Sequence, residues 1–280
     1  MKRVSLILGL VFLLGALLMA AVSYSNGQLT GDGILQKVDD QQDVVMGGNL
    51  ISTIRFDNVY SDGTTAYNIF GSLSKKVEGQ PDRSLIYFKE PADVEGTLFL
   101  SIKPQGEDAR LWLYLPALGQ VKELVSKEKH KSFAGSTFSY RDVGNRRISD
   151  DYTAKLAGEE TVKIGDKSYP CYVLELTAKP KADVDYPTGK SWVGKENWLT
   201  LKSEDYNKEG NLERTMEVLK LGEFEDHVVM NKLIAKNVID NSSTTISFLK
   251  RERPAKPIPD DLFDPANLPN FDPAAWGFKE

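Results

Sequence analysis

Two histidines and one cysteine supply all the imidazole and thiol in the 280-residue chain. His130 sits in the basic run K-E-K-H-K-S, and His227 opens a strand pattern. Either is a possible general base, but surface histidine is the expected role of both. Cys171 lies in Y-P-C-Y-V-L-E-L, where it reads as a small buried hydrophobe. A lone cysteine forms no disulfide within the chain. No G-x-S-x-G, H-E-x-x-H, C-x-x-C or P-loop occurs. Asp57 and Asp62 in D-N-V-Y-S-D-G approach a calcium-loop spacing, but Val59 takes a ligand position, so the stretch reads as a turn. No catalytic residue, metal site or cofactor is expected. The 40 acidic residues leave a carboxylate-dependent hydrolase open, with no pair singled out.

The remaining candidates are greasy. Gly96–Pro116 reads as two alternating strands around a polar turn. Leu98, Leu100 and Ile102 line one side of the first strand, and Leu111, Leu113 and Leu115 one side of the second. With 104–109 as the loop, the expected pairs are Ile102–Leu111, Leu100–Leu113 and Leu98–Leu115, which gives one leucine patch. A slip by one residue would move one strand's leucines to the other face. Similar rows occur at Leu174 and Leu176, Leu199 and Leu201, and Leu219 and Leu221. The patch is either plain core or the lining of a lipid cavity.

The surrounding pattern is mainly β. Alternating runs at 49–59, 65–75, 84–91, 118–126, 197–205, 211–225, 227–238 and 244–252 join the opening pair and a hairpin within 160–180. About ten or eleven strands with short connections predict one antiparallel sheet, which must curl at that width. A short helix is expected near Ile34, Leu35 and Val38, capped by Thr30 or Asp32. Residues 132–158 lack alternation and read as loops and short helices, and 179–192 as a long loop. Six of the 13 prolines fall between Pro254 and Pro273. That tail, 254–280, is expected to lie extended, pinned by Phe263, Phe271, Trp276 and Phe278.

Lys2 and Arg3 precede an apolar stretch, Val4 to Val22, and small residues follow. This predicts a secretory signal, 1–25, cut after Ser23 or Ser25, and a single exported domain at 29–280. The stretch is also long enough for an uncleaved inner-membrane anchor. The formal charge of −5 and the absence of a basic stripe argue against a nucleic-acid partner.

Three motifs carry a resemblance: F-x-x-P-x-x-x-x-G-T (Phe88, Pro91, Gly96, Thr97), W-L-Y-L-P-A-L-G (Trp112–Gly119) and S-F-x-G-S-x-F-S-Y-x-D (Ser132–Asp142). With P-D-D-L-F-D-P-A-N-L (259–268) near the end, the chain resembles the LolA/LolB-like outer-membrane lipoprotein-sorting protein family. The resemblance implies a curved antiparallel sheet, an unclosed half-barrel plugged by helices and loops. It also implies an apolar space between sheet and plug that receives acyl chains of a lipoprotein or phospholipid in the periplasm. An inner-membrane donor, an outer-membrane acceptor and transient membrane contact would follow. Phe133, Phe138 and Tyr140 are then expected to pack onto the leucine side, either as a lid, with Gly135 and Gly144 giving it room to shift, or as a static loop that completes the core. A sensor or regulator of the same fold, binding a protein or a mislocalised lipoprotein, is the alternative.

Overall fold

A computed structural model describes residues 29–279. The signal segment expected at 1–25 lies outside the described residues. Thirteen strands form one antiparallel sheet. They are β1 (Gly48–Val59), β2 (Thr65–Lys76), β3 (Asp82–Glu90), β4 (Leu98–Lys103), β5 (Arg110–Leu115), β6 (Gln120–Glu123), β7 (Tyr152–Ile164), β8 (Lys167–Ala178), β9 (Thr188–Gly194), β10 (Thr200–Tyr206), β11 (Leu212–Phe224), β12 (His227–Asn237) and β13 (Ser242–Glu252). The order across the sheet is β6-β5-β4-β3-β2-β1-β13-β12-β11-β10-β9-β8-β7. β6 and β7 are unpaired edges, so the sheet is an unclosed half-barrel. The sheet has more strands than the ten or eleven expected, and one of the expected strands is longer. Residues 188–194 form β9, which begins inside the expected loop 179–192 and runs past its end, and β7, expected within 160–180, already begins at Tyr152, within the expected plug.

The topology explains the plug. The chain meanders outward from β1 to the β6 edge, then must reach the opposite edge to begin β7. Its connection, residues 124–151, therefore crosses a face of the sheet. It carries three single-turn helices, α2 (Ser126–Lys129), α3 (Tyr140–Val143) and α4 (Ile148–Asp151). The N-terminal helix α1 (Gly31–Met46) shares that face. Thr30 caps it by accepting from the Gly33 N–H at 3.0 Å. Ile34 and Leu35 are buried against Tyr152, Leu174, Leu176 and Val193. Gly31 lies so close to the Ala154 carbonyl that any side chain would collide with it. Asp32 accepts the Ala154 N–H at 2.6 Å, so the helix start also satisfies part of the β7 edge.

The tail covers the opposite face. Ile258, Phe263, Leu268 and Phe278 are buried against Ile51, Leu73, Leu85, Tyr87, Leu98, Leu100 and Trp112. The Phe278 ring stacks on Tyr87 and sits on Gly71, where a Cβ would overlap it. Proline and three short 3-10 turns hold this stretch without a ladder partner. The expected pinning by aromatics holds for Phe263, Phe271, Trp276 and Phe278.

Candidate functional site

The leucine patch does not exist as one surface. Leu98 pairs with Tyr114, Leu100 with Trp112, Phe99 with Leu113, Ser101 with Leu111, and Ile102 with Arg110. This is one residue away from the expected register. Leu98, Leu100 and Ile102 therefore face the tail, whereas Leu111 and Leu113 face the plug. Leu115 follows Leu113 on the plug side and is half-buried. The physical reason is that both faces are covered. Phe99, Trp112 and Tyr114 are as well buried by either choice as the leucines, so hydrophobicity alone does not fix the register.

Beneath the plug, an aromatic cluster takes the place of that patch. The Phe133 ring is fully buried. Its centroid lies 5.3 Å from Phe70, 5.4 Å from Phe88, 5.5 Å from Phe99, 6.0 Å from Phe56 and 5.4 Å from Tyr140. Phe138 approaches Phe56 at 6.2 Å. All three expected plug residues thus pack on the sheet, against phenylalanines rather than against the leucine row. The backbone makes this possible. The Phe133 N–H donates to the Phe138 carbonyl at 2.7 Å and Ser136 N–H to the Phe133 carbonyl at 2.9 Å, which closes a tight loop. Gly135 has φ of +71°, and a Cβ there would sit 2.8 Å from the Tyr60 hydroxyl. Gly144 likewise lies against Leu111, with a Cβ 2.7 Å from Cδ2. Both glycines serve close approach, not the slack expected of them. The space expected between sheet and plug is filled by these rings, so a guest needs the plug displaced.

A buried ionic network holds the plug at its rim. Asp142, at the start of α3, accepts from Arg214 of β11 at 2.7 Å and from Arg146 at 3.3 Å. It also accepts the Ser139 N–H at 2.9 Å as part of the helix cap. Asp151 joins Arg141 at 2.8 Å and Arg146 at 2.7 Å, and Arg214 reaches Asp205 of β10 at 2.8 Å. Burial alone would raise the Asp142 carboxyl, but the charges of Arg214 and Arg146 with these hydrogen bonds hold it well below its usual range. Burial likewise opposes charge on Arg214, and Asp142 and Asp205 outweigh it. Further ties come from α1, whose buried Asp39 accepts the Ile148 and Ser149 N–H groups at 3.0 and 2.9 Å. Thr244 of β13 accepts the Thr137 N–H at 2.9 Å and donates to Asn58 at 2.8 Å.

His130 is more than a surface residue. Its ring lies between Asp185, 2.6 Å from Nδ1, and Asp183, 2.9 Å from Nε2, and so clasps the 179–187 connection to the plug. His227 begins β12 opposite Phe224, and Cys171 is buried as expected. Sequence reasoning missed the Arg–Asp network. The charged run R-D-V-G-N-R-R-I-S-D-D at 141–151 is its only sequence signal, and such runs are usually solvated.

A half-barrel whose one face is closed by a helix and a crossing plug defines the class: a LolA-like sorting fold. The comparisons with known proteins agree. A structure of a DUF1329 family protein from Desulfovibrio piger is 26% identical, with a TM-score of 0.77, over 85% of this chain and 97% of that one. A domain named for outer-membrane lipoprotein sorting, from Vibrio parahaemolyticus, is 25% identical, with a TM-score of 0.75, over 85% and 98%. A LolA superfamily protein from Nitrosomonas europaea shares the fold at 21% identity, with a TM-score of 0.63, over 84% and 97%. A family model described as uncharacterized-protein-like matches residues 80–270. No curated protein matches. The chain belongs to the LolA/LolB-like outer-membrane lipoprotein-sorting family.

Proposed function

We propose that the protein is a periplasmic carrier that shields the acyl chains of a lipoprotein or lipid between the half-barrel and its plug, for transfer toward the outer membrane. The observation that carries this reading is the Phe133 cluster. It is an apolar bed of sheet phenylalanines filled by a ring of the plug, a segment that polar ties, and no disulfide, hold in place. Each exposed CH₂ costs about 0.8 kcal/mol, so a 16-carbon chain carried through water costs on the order of 12 kcal/mol. A carrier must cover most of that and then release it. A roof that exchanges its own ring for a guest chain does both. The protein works here by binding, without catalysis. Membership in a lipoprotein-sorting family supports the periplasm as its compartment. Among the described residues no helix is long and apolar enough to cross a membrane.

The filled hollow also favours a second reading. A closed plug presents a finished surface, which suits a sensor that binds a protein or a mislocalised lipoprotein. Native mass spectrometry of protein taken from the periplasm separates the two. Co-purifying acylated molecules, displaced by added lipid, support the carrier. A bare mass that takes up no acyl chain on titration refutes it, and a stoichiometric protein partner then supports the sensor.

A further inference from the structure

The plugged face changes character along the strands. The register of β1–β5 sorts it into rows of directly opposite residues. One row is Ile54, Phe70 and Phe88. The next is Ser52, Ser72, Ile86, Phe99 and Leu113. The third is Leu50, Ser74, Ser84, Ser101 and Leu111. The last is Gly48, Lys76, Asp82 and Lys103, where the strands end at an open cleft of about 510 Å³. Polarity therefore rises from phenyl rings through hydroxyls to charges. All five of these serines are buried. Sheet interiors ordinarily favour β-branched and aromatic residues, so the row is not a product of strand formation.

Two serines of the third row have unsatisfied side chains. Ser84 Oγ and Ser101 Oγ have no hydrogen-bond partner, although they are 5% and 0% exposed. They stand directly opposite each other on β3 and β4. A buried hydroxyl without a partner costs free energy, which a partner supplied from outside removes. The plug roofs them with Gly144, packed on Leu111, and Asn145, whose Nδ2 lies 3.5 Å from the Ser101 carbonyl. A small cavity of about 30 Å³ lies between Ser74 and the Asn145–Arg147 stretch of the roof.

We infer that Ser84 and Ser101 form the polar subsite for the acyl linkage of the guest, an ester or amide carbonyl. The chain then runs toward Phe70 and Phe88, two row spacings or about 13 Å away. The head points to the charged cleft. This rests on the carrier reading. A carbonyl oxygen has two lone pairs, and each serine donates one hydrogen. Opposite residues hold their Cβ atoms about 5 Å apart, a spacing that one oxygen bridges. The cleft does not select an oxyanion. Lys76, Lys103 and Arg147 face Asp43, Glu78, Asp82 and Asp150, three positive charges against four negative.

The test compares two guests with the same chain and head, 1-palmitoylglycerol and 1-O-hexadecylglycerol. Only the first has a carbonyl. Both are titrated against a fluorescent acyl probe bound to the full-length protein. The wild type is expected to prefer the ester about tenfold, the scale of one or two net hydrogen bonds. The Ser84→Ala/Ser101→Ala double variant is expected to bind both at the ether's level. Its melting temperature should equal or exceed that of the wild type, since no protein bond is lost. Equal affinities in the wild type, an ester preference that survives the double substitution, or a lower melting temperature in the variant would each overturn the inference alone. Binding of neither lipid by the wild type would refute the carrier reading and this one with it.

Discussion

Replacing Phe133 by alanine tests whether the plug is a lid. The ring is fully buried among Phe56, Phe70, Phe88, Phe99 and Tyr140. Phe→Ala at such a site costs about 4 kcal/mol, roughly a thousandfold in the closing equilibrium. Where that loss falls depends on how the plug opens. If the plug undocks while the sheet stays folded, the loss in global stability is capped at the docking free energy. The urea midpoint then falls short of the full ~4 kcal/mol. The amides of Phe133, Ser136 and Tyr140, which donate to Phe138, Phe133 and Lys131, should meanwhile lose nearly all protection. Acyl-probe affinity should rise, because the guest no longer displaces a ring. Hydrogen exchange, urea melts and probe titration on one preparation read all three. A full ~4 kcal/mol loss in global stability with no gain in affinity would refute the lid, and the plug would be ordinary core.

Three other perturbations follow from the same contacts. Asp142→Asn leaves Arg214 and Arg146 short of a buried partner and should cost about 3 kcal/mol at pH 7 in a chemical melt. Because the Asp142 carboxyl is depressed below 3.8, its contribution is complete above that pH and is lost as pH falls further. The wild type should therefore lose stability more steeply below about pH 4 than Asp142→Asn does, and parallel acid profiles would count against the network. Thr244→Val strands the Thr137 N–H and the Asn58 Oδ1 and should cost about 2 kcal/mol, read as a shift in the thermal midpoint. Gly71→Ala drives a methyl into the Phe278 ring and should loosen the tail by about 2 kcal/mol, visible as faster chymotryptic cleavage after Phe263 and Phe271; unchanged cleavage would mean that the tail is not seated there.

The sequence made the strands legible, because alternation and turn residues survive wherever one face is more polar than the other. It was less informative where both faces are apolar. β4 and β5 carry leucines on one side and aromatics on the other, so two registers bury nearly the same surface. The tail decides between them by seating Trp112 beside Leu100, a contact more than a hundred residues away in sequence. β9 was hidden because T-G-K-S-W-V-G has glycines at both ends and reads as a loop continuation. The plug's aromatics were legible, and the ionic rim was not. Its partners Asp205 and Arg214 lie on strands brought beside the plug only by the crossing of 124–151.

The division of labour within the plug bears on how a carrier of this build would work. Its apolar contacts are of one kind with the guest: phenyl rings on phenyl rings, replaceable by methylenes without changing the chemistry of the hollow. Its polar contacts are specific and lie at the rim, where Arg214, Asp142 and Asp151 hold α3 and α4. Losing the Phe133 contacts costs about 4 kcal/mol. Covering a 16-carbon chain gains on the order of 12 kcal/mol relative to water, but nothing relative to a bilayer, where the chain is already covered. The exchange is therefore favourable from water and close to neutral at a membrane or against another carrier. In such a carrier the Phe133 ring would tip the balance toward release, because its return to the sheet is the one gain available only after the guest has left.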